Sequence, residues 1–123
     1  MKQIYNDYDK VAFEIHNWQK DLFFRALKEK NNIVMGYFSL ADVIGHLSFG
    51  KKTKMRVIYM ELDEIAQKAM KYADKMLIIS DHGMQPIGRF GDHAKYGFWS
   101  FSEETEWINP RITEFKGLIK NWR

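Results

Sequence analysis

Five side chains able to hold a divalent cation fall in two stretches of the chain. ADVIGHLSFG carries Asp42 and His46, and LIISDHGMQPIGRFGDHAKYGFWS, residues 77–100, carries Asp81, His82 and His93. The chain has four histidines, and all but His16 lie in these stretches beside carboxylates. Imidazole nitrogen and carboxylate oxygen suit Zn²⁺, and also Mn²⁺ or Fe²⁺. Cysteine is absent, which excludes disulfides and thiolate zinc sites alike. Gly45 and Gly83 stand next to these residues, where a glycine lets the backbone turn tightly or approach an ion. His16, between Ile15 and Trp18 on a helical stretch, reads as structural or surface. Each motif also has an ordinary reading: Asp-His-Gly as a turn, Asp42 to His46 as a helix start, His93 as a loop residue.

Such a set acts together only if a scaffold brings the two stretches to one place. Val11, Ile15, Trp18, Leu22, Phe23 and Ala26 recur at helical spacing and predict a helix over 8–30, capped by Asp7 or Asp9 and stopped at Asn31 and Asn32. IVMGYFSL, 33–40, is rich in strand formers and leads into a polar loop. A second helix is expected over 53–73, burying Ile58, Leu62, Ile65 and Ala69, with Glu61, Glu64, Lys68 and Lys71 facing water. KMLIIS, 75–80, has the unalternating apolar run of a parallel-sheet strand. Gly83, Pro86, Gly88 and Gly91 mark a long irregular loop, and YGFWSFS, 96–102, reads as a further strand. Asn109 as N-cap and Pro110 at the first helical position open a last helix, with Ile112, Phe115, Ile119 and Trp122 on one face.

A strand–helix–strand unit with so long a connection is expected to be parallel and right-handed. Residues just past the ends of both strands then meet at one sheet edge, where α/β proteins place ligands. On that expectation Asp42, His46, Asp81 and His82 share an edge, and His93 folds back from its loop to join them.

DVIGH, then a helix, then LIISDHGM, then GDHAKYGFWS, within 33–102, resembles the C-terminal half of the alkaline phosphatase superfamily. The branch it looks like is type I phosphodiesterase/nucleotide pyrophosphatase; cofactor-independent phosphoglycerate mutases share the first two pieces more loosely. The resemblance implies an α/β fold, a partial alkaline-phosphatase-like three-layer arrangement with a parallel strand–helix–strand core and flanking helices, as a single domain over 1–123. It implies two neighbouring zinc-type ions, with Asp42, His46 and His93 on one and Asp81 and His82 on the other. The chemistry implied is metal-dependent hydrolysis of phosphate esters or nucleotide phosphodiesters. One ion turns a hydroxyl into an alkoxide nucleophile and the other steadies the departing oxygen. A phospho-enzyme intermediate on Ser or Thr is implied as well.

In that family the nucleophile and a further aspartate come from an N-terminal half. No Ser or Thr precedes Ser39 here, so the expectation is an incomplete unit lacking the nucleophile, working with a companion N-terminal chain or as a homo-oligomer. Ser39, Ser48 and Thr53 are the hydroxyls left to substitute, each with an ordinary role at a strand end, in a loop or at a helix cap. The alternative is a non-catalytic metal-binding or interaction module. A formal charge of +3 from 19 basic and 16 acidic residues, without a long basic block, gives no expectation of specific nucleic-acid binding. The N-terminus lacks an apolar signal-like run and no apolar stretch approaches membrane-spanning length, so the expectation is a cytoplasmic protein without a membrane.

Overall fold

The computed structural model describes residues 2–122. Three helices come first: α1 (Lys2–Lys28), α2 (Leu40–Ser48) and α3 (Lys52–Ala69). Four short strands follow: β1 (Leu77–Ser80), β2 (Gly83–Ile87), β3 (Phe90–Ala94) and β4 (Phe98–Phe101). A 3-10 turn at Ile112–Glu114 runs into α4 (Phe115–Lys120). No helix among the described residues is long and apolar enough to cross a membrane.

The core lies where the first three helices meet. Ala12 of α1, Leu40 and Ile44 of α2, and Met55 and Ile58 of α3 are buried together, with Phe13, Ala41 and Val43 packed against them. Ile58, Ile65 and Ala69 are buried and Leu62 is half-buried, as the helical period of α3 predicts. Glu61 departs from its expected place in water. Its Oε1 accepts bonds from His16 Nε2 at 3.0 Å and Lys20 Nζ at 2.6 Å, which ties α1 to α3. That pairing also accounts for His16, which is only 1% exposed and has Phe13 and Phe38 edge-on to its ring.

The apolar stripe expected to bury α1 does not do so. Val11, Ile15, Trp18 and Leu22 are exposed, and the helix instead seats Ala12 and His16 on its neighbours. Small Ala12 permits close approach, and His16 has a carboxylate to meet. The helix also begins before the expected Asp7 or Asp9 cap, because its apolar and polar alternation already holds from Ile4 onward.

Among the described residues the expected parallel core is not found: both ladders are antiparallel. β1 pairs with β4, Leu77 opposite Phe101 and Ser80 opposite Phe98. β2 pairs with β3, Gly83 opposite Ala94 and Ile87 opposite Phe90. The ladders are nested. The presumed irregular loop is a hairpin that reverses the chain, so β4 returns beside β1 in the opposite direction. Gly88 opens the two-residue turn with φ of +57°, the left-handed value such hairpin turns need at that position. Residues 33–39 form no strand, since β1 draws its ladder from β4; Phe38 packs edge-on against Phe23 and His16 of α1 instead. The polar loop expected after them is helix α2. Thr53 lies inside α3 rather than capping it.

The C-terminal segment has an aromatic core of its own. Phe101 is stacked between Trp107 and Trp122, and buried Phe115 meets Trp99 and Trp107. The last helix starts later than expected. Asn109 takes a positive φ of 42°, and Arg111 caps the 3-10 turn, its N–H donating to the Glu114 carboxylate.

Ile58→Ala removes a fully buried side chain from the three-helix contact and should cost about 2–5 kcal/mol of unfolding free energy by urea titration. Burial by itself would raise the Glu61 carboxyl, but the Lys20 and His16 hydrogen bonds and charges outweigh it and hold the group below its ordinary 4.5. Its contribution is therefore complete above that value and is lost as pH falls through the lower folded value. Glu61→Gln should lower the urea midpoint at pH 7 and flatten the decline of stability in acid.

Candidate metal centre

Asp42 and His46 lie one helical turn apart on α2, so both side chains leave the same face of the helix. That face packs against β3, which carries His93. The approach is close enough to need glycine. A Cβ on Gly91 would stand 2.6 Å from the Gly45 carbonyl oxygen and 2.9 Å from Phe49 Cβ. The Met84 side chain fills the space beside both glycines.

Three donor atoms converge there. Asp42 Oδ1 lies 3.1 Å from His93 Nε2 and 3.2 Å from His46 Nε2, and the two imidazole nitrogens are 3.1 Å apart. The triangle is nearly equilateral. Ligand atoms about 2.0–2.1 Å from one tetrahedral zinc sit ~3.3 Å from each other, so the triangle has the size of one tetrahedral face. It also serves as a face of an octahedron around a small divalent ion. These three residues form a group that could hold a metal ion.

Hydrogen bonding orients the rings for that task. His46 Nδ1 faces the Gly91 carbonyl at 3.1 Å, and a carbonyl only accepts. The proton is therefore on Nδ1, and the lone pair of the neutral ring is on Nε2, inside the triangle. Such a partner on the far nitrogen is the usual support for a ligating histidine. His82 is arranged alike, its Nδ1–H donating to the Gly83 carbonyl at 2.8 Å. When no ion is bound, a proton on His93 Nε2 is within reach of both Asp42 Oδ1 and His46 Nε2 at 3.1 Å, and a bound cation would take that proton's place.

The five expected ligands do not all gather equally. Asp42, His46 and His93 come together. His82 sits in the break between β1 and β2, stacked on His93 with ring centroids 3.6 Å apart, its Nε2 3.7 Å from Asp42 Oδ1. Asp81, beside it, has a side chain 77% exposed and touches the group only through His82, 3.8 Å from its Nε2. The hydroxyls considered as substitutes are elsewhere in role. Ser48 is fully buried and accepts a bond from Lys54 Nζ at 3.0 Å, Thr53 is exposed on α3, and Ser39 precedes α2 without a capping bond.

Two supports were not legible from motif spacing. Gly91 contributes both its missing side chain and its carbonyl. Tyr8 of α1 donates its hydroxyl to the Val43 carbonyl at 2.8 Å, fastening α1 to the turn that bears Asp42. Burial, then the nearby Asp42 and Asp9 carboxylates, push that hydroxyl above its ordinary value, so it remains a donor throughout the neutral range. The period of α1 alone would have placed Tyr8 between its exposed and buried faces.

Gly91→Ala keeps all three candidate ligand residues but forces β3, and His93 with it, away from α2. It should weaken Zn²⁺ or Co²⁺ binding by about 10–100-fold in calorimetric titration, the range typical of changes behind the ligands, with unchanged far-ultraviolet circular dichroism. Unchanged affinity would show that the strand–helix approach does not hold the triangle.

A family model described as type I phosphodiesterase / nucleotide pyrophosphatase matches residues 3–108. Neither the search of curated proteins nor that of solved structures gave a match.

Proposed function

The chain belongs to the type I phosphodiesterase / nucleotide pyrophosphatase family, within the alkaline phosphatase superfamily, and on that premise we propose that it is the metal-holding part of a phosphoric-ester hydrolase centre. The observation that carries this reading is the Asp42–His46–His93 triangle, whose edges of 3.1, 3.1 and 3.2 Å match what one small divalent ion requires. The cation in this reading is zinc, with manganese or iron as the other ions the donors accept. A divalent ion bound there supplies Lewis acidity toward a phosphoryl oxygen and lowers the pKa of a coordinated hydroxyl.

The residues of the chain then have separate tasks. Gly91 and Gly45 set the distance between strand and helix. The Gly91 carbonyl keeps His46 in the tautomer that presents Nε2, and Asp42 offers Oδ1 between the two imidazoles. His82 and Asp81, at the break between the nested ladders, are the half-shell of a second ion, and their position leaves that shell open toward solvent. The substrate class is a phosphate ester or nucleotide phosphodiester. In this reading the nucleophilic hydroxyl and the remaining ligand come from another segment, whether of the same polypeptide, a companion chain or a second copy. A cytoplasmic location remains part of the same reading.

One observation favours a second reading, a metal-binding module without catalysis: Ser48, close in sequence to His46, is buried and bonded to Lys54 rather than free to attack. One experiment separates the two. Purified chain is loaded with Zn²⁺ or Mn²⁺, its metal content is measured, and hydrolysis of bis(p-nitrophenyl) phosphate is followed beside His46→Ala and His93→Ala. The hydrolase reading expects stoichiometric metal and a slow hydrolysis of this activated diester, with water in place of the missing hydroxyl and no covalent step, that each substitution lowers at least about a hundredfold, since each removes a ligand. Metal without hydrolysis would leave the module, and a chain that binds no ion would end both readings.

A further inference from the structure

The 27-residue helix α1 carries two apolar faces, and only one is occupied. Ala12 and His16 face α2 and α3. Ile4, Val11, Ile15, Trp18 and Leu22 form a second stripe, each between 44% and 70% exposed. At 100° per residue the five fall within about 60° of arc, a narrow seam rather than scattered surface residues. Half-buried Tyr8 completes its spacing, so that apolar residues alternate at steps of three and four as they do along a coiled-coil seam. From Ile4 to Leu22 the seam runs about 27 Å, room for roughly five turns of a facing helix.

The flanks of the seam say what that helix must carry. Along one side lie Asp7, Glu14 and Asp21, one per heptad and all exposed, before the seam ends at Arg25 and the row at Lys28 in the last turn. The other side leads into Ala12 and the packed face, with no charge to match. The intrahelical partners of the acidic row are exposed and neutralise little: Gln3, without a charge, donates to Asp7 at 3.1 Å, and Lys10 reaches Glu14 only at 4.0 Å with both side chains open to water. A second copy laid antiparallel across the seam would set Glu14 against Glu14 and Asp7 against Asp21, like charges at the positions that choose coiled-coil partners.

We propose that the outer face of α1 is a docking surface for an amphipathic helix of a separate polypeptide, one whose apolar stripe is flanked by lysine or arginine. The seam supplies the buried area and the acidic row supplies the selection. This is independent of the metal centre, which lies on α2 and β3.

The test uses two fluorescein-labelled synthetic helices with leucine at the heptad a and d positions, one with lysine and one with glutamate at e and g, titrated into the full chain and read by anisotropy. The basic helix should bind about tenfold more tightly than the acidic one, the sum of three modest charge pairs. Glu14→Lys with Asp21→Lys should reverse the order. Ile15→Glu should abolish binding of the basic helix with unchanged circular dichroism, whereas unspecific attraction to an acidic surface would survive or grow. Equal affinity for the two helices would overturn the proposal. So would a dimer of the chain alone in sedimentation that Ile15→Glu splits, because the seam's occupant would then be a second copy.

Discussion

The approach of β3 to α2 at Gly91 and Gly45 sets the separation of His93 from Asp42 and His46, residues far apart in sequence. The constraint is steric before it is chemical. A single methyl group at Gly91 would meet a carbonyl oxygen, Phe49 and the Met84 sulfur at once. Close packing of this kind transmits small displacements rather than absorbing them, so a contact that depends on the absence of a side chain governs where three polar atoms meet.

What holds α2 in position is divided between apolar and polar contacts. Leu40 and Ile44 are buried between α1 and α3, each worth about 1.5–3 kcal/mol of transfer free energy. Tyr8 then fastens the same helix by a directed bond to Val43, and the His16–Glu61–Lys20 group fixes how α1 crosses α3. The first contribution makes the three-helix body stable. The second removes the freedom to slide or rotate that an apolar contact alone permits, and the candidate ligands are the beneficiaries, because ligand geometry tolerates only small errors.

The surfaces left over are as informative as those that are used. Ile78 and Ile79 of β1 are partly exposed, the strand has a ladder on one edge only among the described residues, and α1 presents an open apolar seam. This uncovered apolar surface lies on α1 and β1, away from the candidate ligand triangle on α2 and β3. Asp81 likewise stands open to solvent beside His82, which is largely covered by its stacking on His93.

The residue types of the centre were legible in the sequence because donor chemistry is a property of single side chains. Asp42 and His46 stand at a spacing that shares a helix face, the absence of cysteine limits the ligand set, and the motif order points to the family. Most element positions followed too, since α3, β1 and β4 lie close to where apolar period and strand propensity put them. Strand direction did not follow. A run such as Leu77–Ser80 reads the same whether its partner runs with it or against it, and the Gly88 turn that decided the matter looked like an irregular loop. The buried face of α1 did not follow either. Periodicity reports that an apolar stripe exists but not what will cover it, and here a histidine with a carboxylate partner went inside while isoleucine and tryptophan stayed out. Nor could spacing foretell that His82 would stack on His93 while Asp81 faces water, because that depends on where one ladder breaks and the next begins. Local chemistry was thus determined by the sequence alone. Convergence and coverage were decided by the tertiary structure, because both depend on contacts between segments that no local pattern contains.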